Sequence, residues 1–216
     1  MRKIAVSMMA LAIAPIIASG TAKAGQLGGG VFSSGTIYWT YLDTSYTPIT
    51  DISIAGGSGE LLTQILGDPF NVPQQQFDKA VTDAMHGAHF GPATRFTTTP
   101  ADSFPREFAV RLVFDSFYPT SINTICVVPP QQQPPPRTGL SNGSVRLSAA
   151  FCQEGRVLTY LEGGGSSYTG PNDPRFEAFI KNVTFTLFPP KNPNNPNFRD
   201  GHEQRSPNHM FFRHRH

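Results

Sequence analysis

The chain has 216 residues, with 17 basic and 15 acidic side chains, 20 glycines, 20 prolines and two cysteines. That length allows one domain of ordinary size plus appendages, and no run after residue 24 approaches the ~18 apolar residues of a membrane-spanning helix. The small formal charge, +2, gives no reason to expect a specific nucleic-acid partner.

Residues 1–24 read as an export signal. Arg2 and Lys3 form a charged start, residues 4–17 are mostly apolar, and Ala22-Lys23-Ala24 supplies the small-x-small pattern for cleavage after Ala24. Gly25, not a cysteine, stands immediately after the cleavage point, so a lipid-anchored form is not expected, and the product should be periplasmic or secreted. Residues 25–188 carry 9 basic and 13 acidic side chains; residues 189–216 carry 5 basic and 2 acidic, with four histidines. An acidic body therefore precedes a basic tail.

Residues 25–35, rich in glycine and serine, read as a flexible lead-in to a single domain over residues 36–188. Residues 36–42 (TIYWTYL) are dense in β-branched and aromatic side chains and predict a strand, which holds Trp39, the only tryptophan. Residues 50–54 predict a short strand. After a glycine loop, Ser58 is placed to cap a short helix around Leu61, Leu62, Ile65 and Leu66, with Gly67 at its end. A second helix follows Pro73, where Phe77, Ala80, Val81 and Ala84 repeat at i, i+3, i+4, i+7.

Residues 94–99 predict a strand. Phe108, Val110, Leu112 and Phe114 then alternate with more polar neighbours, as Val145, Leu147, Ala149 and Phe151 do later. Gln153-Glu154-Gly155 turns the second of these runs into a hairpin partner at 156–161. Between them lies a polar loop with five prolines at 129–136, which predicts an exposed polyproline-II excursion. Residues 163–170 read as another flexible link. Phe176, Phe179, Ile180, Val183 and Leu187 trace the face of a last helix, closed by Pro189-Pro190. Residues 189–216, rich in Asn and Pro, lack an apolar period and read as a disordered tail. The expected fold class is α+β: an antiparallel β-sheet with two or three helices on one face.

Cys126 and Cys152, in an exported chain, point to one disulfide. The loop it closes spans 27 residues counted inclusively, worth roughly 3.5 kcal/mol in the chain-entropy model.

Other motifs are weaker. Residues 56–60 (GGSGE) lack the Gly-Lys-Ser/Thr of a P-loop and the spacing of a dinucleotide fingerprint, and no cofactor is expected. His86 and His89 are suitable metal ligands by type, but Gly87 breaks the helix between them and is expected to place them on different faces. Asp102, Glu107, Asp115 and Glu162 are scattered and define no catalytic constellation. Arg111 and Asp115 are expected on the solvated face of their strand. In the tail, Arg213, His214, Arg215 and His216 suit an anionic envelope surface. These readings point to an exported bacterial cell-envelope protein with a non-catalytic binding or scaffolding role. A secreted hydrolase with a site dispersed in sequence and a periplasmic metal-handling protein are the alternatives.

Overall fold

The structure, a computed structural model, describes residues 35–101, 107–114, 121–127 and 143–195. The export signal, most of the lead-in, the proline run at 129–136 and the tail from 196 lie outside these residues.

The alternating runs form strands β4 (Phe108–Phe114), β5 (Val145–Gln153) and β6 (Arg156–Gly165), paired antiparallel in that order. Glu154 and Gly155 join β5 to β6 with φ of 49° and 80°. Two left-handed residues make the primed hairpin turn whose twist matches the strands it connects. Strand β1 (Thr36–Leu42) pairs antiparallel with the outer side of β6. On the other side of β4, strand β2 (Glu60–Leu66) runs parallel to it, and β3 (Arg95–Thr97) runs parallel to β2. The order is β1-β6-β5-β4-β2-β3. The α+β class stands, while the sheet is mixed rather than wholly antiparallel. Helix α2 (Gln74–Met85) crosses between β2 and β3 and returns the chain in the same direction, as a parallel pair requires.

The stretch before α2 reverses the expected order. Residues 48–55 are a helix, α1 (Pro48–Ala55), and the leucine-rich run after it is strand β2. Pro48 pre-sets the helical φ at the start of α1, and Ile52 and Ala55 bury its inner side. Strand β2 lies between two neighbours and carries apolar groups on both faces. Its leucines therefore show no alternation, and their spacing imitates a helix. The glycine loop thus links a helix to a strand, the reverse of the strand-to-helix turn that cradles a phosphate.

One apolar cluster joins all three helices to a single face of the sheet, including Leu61, Phe108, Val110, Leu112, Phe114 and Phe151. Helix α3 (Pro174–Leu187) contributes Phe176, Phe179, Ile180, Val183 and Leu187, the face its periodicity predicts. Residues 163–165, expected as a flexible link, are the end of β6. Glycine suits them because other groups crowd in: a Cβ on Gly163 would lie 2.9 Å from the Thr36 carbonyl oxygen and 3.3 Å from the Phe179 ring.

Asp173 caps α3. Its carboxylate accepts from the Arg175 and Thr169 backbone N–H groups, both at 2.9 Å, and pairs with the Arg175 guanidinium at 2.8 Å. The Arg175 side chain, opposed by burial but helped by these N–H groups, holds the carboxyl far below the usual carboxylate range. A depressed folded-state pKa contributes stability above the unfolded value, about 3.9, and that contribution fades as pH falls below it. The urea midpoint should therefore be flat in this respect above about pH 5 and fall between roughly pH 4 and 2. Asp173→Ala should cost about 1 kcal/mol at neutral pH, the worth of an N-cap, and make the acid decline shallower.

The body extends past Phe188, the boundary expected from the sequence. Asn192 is fully buried, and its side-chain amide donates to the carbonyls of Asp43 and Tyr46, both at 2.8 Å. Asn194 donates to the Leu42 carbonyl at 3.1 Å. Asparagine carries no apolar signal, so periodicity passes over this docking. Asn192→Ala removes one donor from each of two carbonyls, which keep bonds from the Tyr46 N–H at 3.1 Å and the Asn195 amide at 3.3 Å, and should cost about 1 kcal/mol. A chain ending at Phe188 should unfold roughly 4–8 °C below one ending at Asn195, a comparison that thermal denaturation can make.

Candidate binding groove

The sheet face away from the helices has its own small cluster, because neighbours of core residues alternate to it. Val113, Ala150, Cys152 and Tyr160 pack there with Ile125 and Cys126 from the segment 121–127. The Cys126 and Cys152 sulfurs are at bonding distance and tie this segment to β5, the pairing expected from the cysteine count. Arg111, expected in solvent, lies beneath the segment, where its guanidinium donates to the Ile125 carbonyl at 2.7 Å. Burial there pushes its pKa below the ordinary arginine value.

Beside this segment the face opens into a groove of about 490 Å³, within the ~300–1,000 Å³ usual for small-ligand sites. Trp39 and Tyr41 of β1 form one wall, Ile122 and Asn123 the other, and Gly155, Arg156 and Val157 close the end near Asp43. The aromatic wall follows from the register. Pairing with β6 slips between Ile37 and Trp39, leaving Tyr38 without a partner across the ladder. Trp39 then lies opposite Glu162 and Tyr41 opposite Tyr160. The indole meets the Tyr160 ring edge-on, with centroids 5.1 Å apart, yet remains 44 % exposed. Tyr160 donates to Glu162 at 2.7 Å. Its burial, reinforced by that carboxylate, raises the phenol pKa well above the ordinary value.

The polar groups are held in place. Asp43 accepts from the Ser45 N–H at 2.8 Å and the Tyr41 hydroxyl at 3.1 Å. Burial pushes its pKa up, but bonds from Ser45 and Tyr41 and the charge of Arg156 outweigh it, so the carboxyl titrates below its usual range. Arg156 donates to the Gln153 side chain at 2.8 Å. The groove thus pairs an exposed aromatic wall with one fixed carboxylate, one exposed guanidinium and an amide.

A second groove, of about 450 Å³, is bordered by His86, His89, Thr94 and Arg95. The two histidines share it, contrary to the expectation that the helix break would part them. Gly87, at φ 70°, folds the chain back on itself, and both rings lie near Phe96, with centroids 6.3 and 5.3 Å away. The His89 Nε2 lies 2.9 Å from the Pro92 carbonyl oxygen, so that nitrogen carries the proton. Among the described residues, no group of three His, Cys, Asp or Glu side chains could hold a metal ion.

Of the scattered acids, Glu162 borders Trp39 and Tyr160, and Glu107 accepts the Glu154 N–H through its carbonyl. Asp102, Asp115 and the tail group Arg213, His214, Arg215 and His216 lie outside the described residues. No described helix is long and apolar enough to cross a membrane. The groove draws on β1, segment 121–127 and the β5–β6 turn, which the sequence separates by up to 118 positions, from Trp39 to Val157. The cysteine pair was the one signal linking two of them. In comparisons with known proteins, no family model, curated protein or solved structure matches this chain.

Proposed function

We propose that the protein is a non-catalytic binding domain of the bacterial cell envelope, exported through residues 1–24 and released by cleavage after Ala24. The observation that carries the reading is the groove around Trp39, whose exposed aromatic wall and fixed polar groups suit recognition of a ligand. The cysteine pair at bonding distance is compatible with an oxidising compartment outside the cytoplasm. The test is sedimentation of the mature protein with washed bacterial envelopes, beside Trp39→Ala and Arg156→Ala variants with unchanged far-UV circular dichroism. The mature protein should pellet and both variants should stay largely in the supernatant. Equal pelleting by all three, or pelleting by none, counts against the groove.

A second reading, metal handling, has one observation in its favour: His86 and His89 border one groove. Calorimetry with zinc should then show a site that His86→Ala removes, and heats at the dilution level would dismiss it.

A further inference from the structure

We infer that the groove binds an uncharged segment of a glycan; this inference rests on the binding role proposed for the same groove. A sugar ring presents two chemistries, a patch of C–H groups on its face and hydroxyls around its rim. A site for it needs a flat aromatic surface open to solvent and, beside it, planar hydrogen-bonding groups already fixed in place.

The aromatic requirement is met by one strand. Trp39 is anchored on one edge by Tyr160 and leaves the rest of its indole open. Tyr38, the unpaired residue at the slip in register, is 60 % exposed and lies within electrostatic reach of Glu162 and Arg146. Of the two, Trp39 lines the groove itself and offers it a flat aromatic face.

The polar requirement is met at the same groove. Asp43 keeps its charge through bonds from the Ser45 N–H and hydroxyl and from Tyr41, and offers its one remaining acceptor site to a hydroxyl donor. Arg156, steered by Gln153, offers donors to hydroxyl acceptors, and the Asn123 amide does both. Holding Asp43 before the ligand arrives reduces the ordering cost of binding.

Charge selects among glycans. One carboxylate and one guanidinium border the groove, and their charges cancel. An anionic headgroup would meet Asp43 as well as Arg156, and a cationic one the reverse. An uncharged polyol satisfies both. Binding should accordingly change little with salt, unlike attraction between a basic surface and an anionic lipid.

The experiment repeats the envelope sedimentation with envelopes left untreated, oxidised with periodate, or digested with protease that is then inactivated. Periodate cleaves vicinal diols and spares most peptide bonds. Retention that depends on Arg156 should fall at least fivefold after periodate and survive the protease. Oligosaccharides released from the same envelopes should shift the emission of Trp39, the only tryptophan, and Arg156→Ala should abolish that shift. Retention that survives periodate, with no emission shift from the released oligosaccharides, overturns the glycan assignment while leaving the groove a binding site for another ligand. Loss to protease alone does the same and points to a protein partner. Absence of Arg156-dependent retention on untreated envelopes overturns the binding role itself, and the glycan with it.

Discussion

Replacing Cys126 and Cys152 together by serine should lower the free energy of unfolding by about 3.5 kcal/mol. Domains of this kind are stable by roughly 5–15 kcal/mol, so the loss is a large fraction of the whole. The entropic part comes from the unfolded chain, which regains the freedom that a cross-link between positions 26 apart removes. A second part belongs to the folded state. Segment 121–127 contributes Ile125 and Cys126 to the smaller cluster, and its Ile125 carbonyl accepts from Arg111. Serine hydroxyls at two sites that are each only 4 % exposed add a desolvation cost. Urea unfolding of the oxidised protein and the double variant gives the difference directly. Because Ile122 and Asn123 wall the groove, the variant should also lose ligand more sharply than it loses stability, and its Trp39 emission should move to the red. A loss under 1 kcal/mol would mean that the unfolded chain keeps these two segments close without the cross-link.

That coupling of staple and site explains how the chain could be read. Strands β4 and β5 and helices α2 and α3 were legible because their largest apolar side chains fall on one side, and β6 followed from the Gln153-Glu154-Gly155 turn before it. Val110 and Leu112, or Phe176, Phe179, Ile180 and Val183, leave a clean period of 2 or 3.6 in the sequence. Strand β2 was not legible, because a strand between two neighbours with apolar contacts on both faces loses its alternation. The docking of Asn192 was invisible for another reason: it works through hydrogen bonds to Asp43 and Tyr46 across some 149 positions, which no local pattern records. At the groove, the single tryptophan and the cysteine pair were the readable parts. The slip that frees Tyr38 depends on pairing with β6, and the proximity of Arg156 to Asp43 depends on the whole sheet.

Phe176→Ala should cost about 3–5 kcal/mol, the range for truncating a fully buried phenylalanine. Its ring is 0 % exposed and sits where four parts of the chain meet. Phe70, before α2, crosses it edge-on at 5.0 Å, and Tyr168, before α3, does so at 5.6 Å. Phe77 of α2 and Phe114 of β4 lie 6.0 and 6.2 Å away. Alanine removes the apolar area and leaves a cavity that rings on rigid elements fill poorly, and it ends edge-to-face contacts worth about 0.5–1.5 kcal/mol each. With about 2–4 °C of melting temperature per kcal/mol for a chain of this size, the midpoint should fall by roughly 6–20 °C. Phe176→Leu keeps most of the apolar volume and should lose well under half as much. The two sheet faces separate this effect from binding. Phe176 packs on the helix side and the groove opens on the other, so ligand affinity per folded molecule should be unchanged at temperatures well below the new midpoint. A variant that kept its stability would show that the aromatic cluster collapses around the gap. One that stayed folded but lost ligand would show that the helix layer shapes the groove through the sheet.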